Sequence, residues 1–138
     1  MFDQCLYFNT TALARVVERE WTRTFEPFGL TPAQAFMLRA ILAREGALHR
    51  ELADLLGIAR PTATRVLDSL EEKGLIERHP SEGDGRESCV HPTAEAKAME
   101  KSITAAAAAT TRRVKNLIGA DVFDGTVEKL REIRSALS

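Results

Sequence analysis

Hydrophobic residues recur at steps of three and four along most of the chain, which is the spacing of one helix face. Glycine and proline interrupt this pattern where helices are expected to end, and a Pro/Ser/Gly-rich stretch separates two short segments typical of strands. The pattern therefore predicts four helices, a β-hairpin and two further helices. The predicted helices cover residues 4–26, 32–44, 49–56, 60–74, 93–118 and 121 onward, and the hairpin strands cover 75–78 and 87–91.

Two of these helices begin at residues suited to capping. Thr31 can cap the second helix, and Pro32 fits its first turn because proline lacks the N–H that would be unpaired there. Asp121, after the break at Gly119, is expected to cap the last helix. The terminal helices carry more apolar surface than one small domain can cover, so we expect the chain to associate through them.

The third and fourth predicted helices are joined by a tight turn at Gly57 and are followed at once by the hairpin. Ala53 is small where the two helices must approach closely, and Gly57 can adopt the left-handed turn conformation. This order predicts a mainly α fold with a small β-hairpin wing, namely a winged helix-turn-helix. The residues expected on the inner faces are Leu52, Leu56, Ile58, Ala63 and Val66.

The exposed face of the fourth helix is chemically polarised. Residues 58–67 contain two arginines, two threonines and no acid, whereas the acids of this helix lie in its second half. Arginine can contact guanine O6 and N7 bidentately, and threonine can contact phosphates or base edges. Recognition helices read bases mainly with their N-terminal half, so this half is predicted to bind DNA. The candidate residues are Arg60, Pro61, Thr62, Thr64 and Arg65.

The tip of the hairpin adds a second candidate contact with DNA. Arg86 is placed to enter an adjacent minor groove, where narrow A·T-rich segments attract arginine. Asp84 lies two residues earlier and can pair with the guanidinium to fix its direction.

Composition and charge limit the function classes further. The 138 residues carry 19 Lys and Arg against 20 Asp and Glu, a formal net charge of −1, which argues against a basic tail or a nonspecific nucleic-acid coat. A net charge of −1 remains compatible with a protein that binds a specific DNA sequence, because residues 58–67 are locally positive. No apolar run is long enough for a transmembrane helix, and residues 1–20 show no secretory signal, so we expect a cytoplasmic protein without a membrane partner.

Four segments of the chain resemble the MarR family of bacterial winged helix-turn-helix transcription regulators. The resemblance is most specific between residues 49 and 97, and it extends over about residues 6–137. Two of its departures are Gly85, where the family has a second wing arginine, and Ala59, where the family usually has a serine-type cap. The segments are Leu30-Thr31-Pro32-Ala33-Gln34, LADLLGIARPTATRVLDSLEEKGLIER, Asp84-Gly85-Arg86 and Pro92-Thr93-Ala94-Glu95.

The resemblance implies an effector-responsive repressor that binds a palindromic operator as a homodimer. Residues 1–138 would form one unit, with a DNA-binding part at 32–91 and helical dimerisation parts at 1–30 and 93–138. Small phenolic or lipophilic effectors would bind between the dimer helices and the winged part. Tyr7, Arg15, Trp21 and Phe25 could line such a pocket, but core or interface positions are the favoured expectation for all four.

Other functions remain open at this stage. Cys5 could make the protein a thiol-based redox sensor, since relatives that sense peroxides carry a reactive cysteine in this region, and two cysteines 84 positions apart indicate free thiols. His49, His79, Cys89 and His91 are suitable metal ligands but lack the spacing of a tetrad, so no metal or cofactor is predicted.

An enzyme is not predicted, because the chain lacks a phosphate-binding glycine loop, a nucleophile elbow and a metalloprotease helix signature. A winged-helix protein-interaction module is the alternative from another class, and it predicts no salt-dependent affinity for DNA.

Overall fold

The structure is a computed structural model that describes residues 1–81 and 87–138. The described residues form six α-helices, a short 3₁₀ turn after the first helix, and a three-stranded antiparallel sheet. This confirms the mainly α fold class with a hairpin after the fourth helix. The helices are α1 Leu6–Phe25, α2 Pro32–Ala43, α3 His49–Leu56, α4 Arg60–Glu72, α5 Ala94–Ile118 and α6 Ala120–Leu137, and the strands are β1 Ala47–Leu48, β2 Ile76–Pro80 and β3 Ser88–Pro92.

A side-chain cap sets the start of α2 but not that of α6. The Thr31 hydroxyl accepts a hydrogen bond from the Gln34 amide at 3.2 Å, and the Gln34 side chain accepts one from the Thr31 amide at 3.0 Å. This capping box confirms the predicted start of α2. The prediction that Asp121 caps the last helix is wrong, because Gly119 is the N-cap and Asp121 lies within the first turn. There its carboxylate still has a favourable interaction with the helix dipole.

The sheet contains one strand more than the sequence predicts. β3 lies in the centre, with β2 on one side and the two-residue β1 on the other. Ala47 pairs with Val90 and Leu48 with Cys89, and the Gly46 amide donates to the Val90 carbonyl at 2.8 Å. The short β1 therefore covers the edge of the hairpin that faces α2 and α3.

The hydrophobic core joins the winged part to α1 and α5. Phe25 of α1 and Ile103 of α5 are fully buried together with the inner faces of α2, α3 and α4. The Thr24 and Thr110 hydroxyls hydrogen-bond at 2.5 Å, and Arg113 forms an ion pair with Glu20, so α1 and α5 are also linked by polar contacts. The hydrogen bond from Arg113 lowers the pKa of Glu20.

The N-terminal half of α1 and the whole of α6 leave their apolar residues uncovered. No residue of α6, all of which the structure describes, is buried. A groove of about 710 Å³ runs between the two helices and is lined mainly by apolar side chains. None of the described helices is both long enough and apolar enough to cross a membrane. The apolar residues that line the groove are Leu6, Tyr7, Val127, Leu130, Ile133 and Leu137.

Candidate nucleic-acid interface

The turn between α3 and α4 sets the angle at which α4 leaves the protein surface. Gly57 has a φ of +65°, and the Ile58 amide donates to the Ala53 carbonyl at 3.0 Å, which closes the C-terminus of α3. A Cβ at Gly57 would meet nothing within 4 Å, so the backbone conformation, and not lack of space, requires glycine here. Ala53 and Ala63 are buried where the two helices meet.

The structure brings the five predicted residues of α4 together on its first two turns. Arg60, Pro61, Thr64 and Arg65 are exposed, and Thr62 is half-buried beside them. The opposite side of the helix is anchored in the core through Ala63, Leu67 and Leu70. The side chains predicted to contact DNA therefore share one solvent-facing surface on a helix that is fixed from behind.

Hydrogen bonds within this surface determine what each group can still bind. The Thr64 hydroxyl donates to the Arg60 carbonyl at 3.0 Å, which leaves its oxygen as an acceptor, and His49 Nε2 lies 3.4 Å from that oxygen. Arg65 donates one bond to the Thr62 hydroxyl at 3.4 Å, and its other donors face solvent. Within residues 1–81 and 87–138, neither Arg60 nor Arg65 forms an ion pair.

Arg78 of β2 binds two of the acids in the second half of α4. Its Nη2 atom lies 2.7 Å from Asp68 Oδ1 and 2.8 Å from Glu71 Oε1, and its Nε atom donates to Glu71 Oε2 at 3.4 Å. The hydrogen bond from Arg78 lowers the pKa of Glu71 despite partial desolvation, and the same contact raises the pKa of Arg78. Because the folded pKa of Glu71 is lowered, this pair stabilises the fold above the ordinary glutamate range and is lost only as pH falls through the lowered value.

Sequence reasoning missed Arg78, although a signal for it exists. Arg78 pairs with Val90, which is fully buried, so its side chain starts from the inward face of β2 and points towards α4. An arginine at an inward position of a half-buried strand needs a carboxylate partner. Ile76 and Arg78 lie on the same face of the strand, with Glu77 on the other. This alternation could have indicated that Arg78 has a carboxylate partner, but not which carboxylate it is.

Gln34 forms a second set of hydrogen bonds to α4, which the sequence pattern does not predict. Its amide nitrogen donates to the Ser69 hydroxyl at 3.0 Å, and its oxygen accepts from Lys73 Nζ at 2.9 Å. Lys73 also donates to the Gly29 carbonyl at 2.5 Å. The start of α2 is therefore hydrogen-bonded to the C-terminal half of α4.

The two wing residues predicted to contact DNA, Asp84 and Arg86, lie outside the described residues. The described strands lead to them, since the Ser81 amide donates to the Glu87 carbonyl at 3.0 Å across the base of the hairpin. The departure at Gly85 lies in the same stretch.

Tyr7, Trp21 and Phe25 do not line one pocket, and Phe25 takes the core position that the sequence favours. Phe25 belongs to the core, Trp21 is half-buried beside α2 and α5, and Tyr7 is 78 % exposed near α6. Positions 7 and 25 share one angular face of α1, but 18 residues at about 1.5 Å each separate them by about 27 Å.

Trp21 instead lines a groove between α1, α2 and α5 that combines aromatic and cationic groups. The groove has a volume of about 530 Å³ and contains Phe36 and Arg39 of α2. The Arg39 guanidinium lies 5.6 Å from the centroid of the Phe36 ring. Arg112 and Lys115 of α5 also line the groove, and Lys115 Nζ lies 3.2 Å from Asp124 Oδ1. An aromatic ring bearing an anionic group matches this combination.

The remaining candidate residues lie in three separate places: Cys5 at the start of α1, His49 beside α4, and His79, Cys89 and His91 on the hairpin strands. Cys5 is exposed and its sulfur accepts a hydrogen bond from the Phe8 amide at 3.5 Å, which caps α1, while Cys89 is half-buried in β3. His49 contacts Thr64, whereas the rings of His79 and His91 meet with centroids 5.3 Å apart. Within the part of the chain that the structure describes, no three His, Cys, Asp or Glu residues are grouped to hold a metal ion.

A protein family with a known sequence pattern matches the part of the chain that contains this surface. Residues 28–87, which run from the 3₁₀ turn after α1 through α4 and β2 to the residue before β3, match the sequence model of the MarR family. This stretch carries the MarR-family sequence pattern. The resemblance carried by the helix-turn-helix and the segments beside it is thereby confirmed.

Two curated proteins and one solved structure are similar to this chain. A Thauera aromatica protein, named for transcriptional regulation of the hcr operon, is 37 % identical over 76 residues, covering 54 % of this chain and 46 % of that protein. The uncharacterized HTH-type transcriptional regulator YwoH of Bacillus subtilis is 32 % identical over 90 residues, covering 65 % of each chain. The matches thus span about half to two thirds of these relatives. The transcriptional repressor CouR bound to a 23-mer DNA duplex has a TM-score of 0.87 at 28 % identity, covering 96 % of this chain and 94 % of CouR.

Proposed function

We propose that this chain is a sequence-specific DNA-binding transcription regulator that represses by occupying a palindromic operator as a homodimer. The observation that carries the proposal is the exposed first half of α4, which presents Arg60 and Arg65 on a helix anchored from behind. The repressor CouR, bound to duplex DNA in its structure, supports both the ligand and the direction of regulation. We place this activity in the cytoplasm and assign the chain no enzymatic role.

The chemistry of the α4 surface assigns a role to each group. Arg65, whose remaining donors face solvent, reads a base edge in the major groove, and guanine is the base that fits its fork. Thr64 accepts a hydrogen bond from a base amino group because its own proton is used within the helix. Arg60, Pro61 and Thr62 lie at the helix start, where contacts to phosphates set the register.

The wing supplies a second contact in this proposal. Arg86 enters the minor groove beside the site read by α4, and Asp84 directs its guanidinium. Since Gly85 brings no charge, the wing adds one cation per subunit. Together with the net charge of −1, this predicts weak nonspecific affinity and few phosphate contacts.

The second copy required by a palindrome is provided by the uncovered apolar surface of α1 and α6. This surface includes the 710 Å³ groove, whose lining is largely apolar. An uncovered apolar stripe of this extent marks an association surface. Residues 1–30 and 93–138 therefore form the dimerisation part, and two α4 helices bind half-sites about 34–36 Å apart.

Selection from random DNA tests the proposal. Purified protein is mixed with a library of random duplexes, bound DNA is recovered over several rounds, and the recovered duplex is titrated against a scrambled duplex of equal length. We expect an inverted repeat that binds about 10³-fold or more tightly than the scrambled duplex. Equal affinity for both duplexes contradicts sequence-specific binding, and no affinity for either one favours the protein-interaction module.

We also propose that the groove beside Trp21 is the effector site and that its ligand is an aromatic acid. Trp21 and Phe36 supply ring surfaces, and Arg39 and Arg112 supply cations for a carboxylate. The groove lies between α1 and α5 on one side and α2 on the other, and Gln34 of α2 is bonded to α4. A ligand there can bias the position of the recognition helix with a coupling of about 1–3 kcal/mol.

Fluorescence provides a direct test, because Trp21 is the sole tryptophan of the chain. Benzoate, 4-hydroxybenzoate and cinnamate are titrated against the uncharged controls benzamide and cinnamamide. We expect saturable quenching by at least one acid, about tenfold or more weaker binding of its amide and of Arg39→Met, and a matching loss of operator affinity. Equal binding of acids and amides, or no quenching, contradicts the site. A response to peroxide that is lost in Cys5→Ser would instead favour redox sensing.

A further inference from the structure

We propose that Arg78 is a positioning residue for DNA binding, acting by holding Asp68 and Glu71 away from Arg65 and from the phosphates. This inference rests on the proposed function of α4. It concerns a residue of the hairpin strand that would not itself contact DNA.

Asp68 is the carboxylate that could bind Arg65 if Arg78 did not hold it. It follows Arg65 by three positions, so the two side chains are neighbours on the helix surface and can form an ion pair. In the structure, Asp68 binds Arg78 at 2.7 Å, and Arg65 donates to the Thr62 hydroxyl instead. Arg78 therefore competes for the carboxylate that would otherwise draw Arg65 away from a base.

The geometry of Arg78 favours this outcome. Its side chain is 23 % exposed, while those of Asp68 and Glu71 are 56 % and 45 % exposed, so the arginine lies beneath the two carboxylates. Glu71 accepts from both Nε and Nη2, and this fork fixes the guanidinium plane. Asp68 then binds a guanidinium that is already ordered.

The charge of this cluster matters because it lies on the helix that would enter the groove. With Arg78, the cluster of Arg78, Asp68 and Glu71 carries a net charge of −1. Without Arg78 it carries −2, both charges lie near the phosphates, and Asp68 is released towards Arg65. Repulsion between exposed charges is screened by salt, so a defect of this origin shrinks as salt rises.

The experiment compares four proteins on the duplex recovered by selection, namely wild type, Arg78→Met, Asp68→Asn/Glu71→Gln, and the triple variant with all three changes. We expect Arg78→Met to bind about tenfold or more weakly at about 50 mM salt and to approach wild type at about 300 mM. The triple variant, which has no charge to cancel, is expected to bind at least as tightly as wild type. Arg23→Met, which removes a paired arginine from α1, is the matched control and is expected to change affinity less than about twofold.

Three results would overturn the inference. If the triple variant binds as weakly as Arg78→Met, Arg78 contacts DNA itself or is needed only for folding. If Asp68→Asn/Glu71→Gln binds more weakly than wild type, the two carboxylates assist binding, and this variant keeps Arg78 should Arg78→Met fail to fold. A defect that does not change with salt likewise contradicts an electrostatic role. Where wild type binds the selected duplex, these results reject the role of Arg78 alone; where wild type binds no DNA, the proposed function fails with it.

Discussion

Replacing Leu130 by aspartate is expected to convert the protein from a dimer to a monomer and to abolish tight operator binding. Leu130 lines the apolar groove between α1 and α6 and is not buried within one chain, so the change should leave the monomer fold intact. In a dimer, the carboxylate would be taken out of water among mainly apolar side chains, with Arg131 and Arg134 as the charged groups of the lining, at a cost of several kcal/mol. With one α4 helix per molecule, operator affinity should fall by about 10³-fold, towards nonspecific binding.

Sedimentation and thermal unfolding check this prediction together. Wild type should sediment with twice the 15.2 kDa mass of one chain, and Leu130→Asp with that of a single chain. Ser135→Asp is the matched control, because it adds the same charge to an exposed position of α6 that does not line this groove. A dimeric Leu130→Asp variant that still binds operator would place the interface elsewhere.

The helices were predictable because their boundaries are set by local residues. Thr31 and Gln34 cap α2 within one turn, and Gly57 ends α3 because its backbone must adopt a positive φ. These signals lie within four residues of the boundary that they set, so a single sequence contains them. Gly119 ends α5 in the same way, but the next helix starts immediately after it, which is why the cap expected at Asp121 is displaced.

Features that depend on distant residues were not predictable. β1 has two residues, too few to show alternation, and it forms only because β3 offers an edge beside the Gly46 turn. The bond between Gln34 and Ser69 joins positions 35 residues apart, and the groove around Trp21 requires three helices to pack. The exposed face of α4 was predictable. The residue that neutralises part of the negative charge of Asp68 and Glu71 on α4 is Arg78, which comes from the sheet.

Replacing Arg65 by alanine is expected to cost about 1–3 kcal/mol of operator affinity, because a bidentate contact to one base is lost. The loss should be confined to one position in each half-site, where all four bases should then bind with similar affinity. A residue that contacts only phosphate behaves differently, since its removal weakens binding to every sequence alike. Arg65 is exposed and makes no ion pair among the described residues, so its removal should not unfold α4.

The most direct measurement is therefore the affinity of wild type and Arg65→Ala for the selected duplex, for the same duplex with each half-site position changed in turn, and for a scrambled duplex. Arg44→Ala, which removes an exposed arginine from the end of α2, controls for charge alone. We expect Arg65→Ala to lose about 5- to 150-fold in affinity on the selected duplex, to lose discrimination at one position, and to change little on the scrambled duplex. An equal loss on both duplexes, or no loss on either, would contradict base reading by the exposed face of α4.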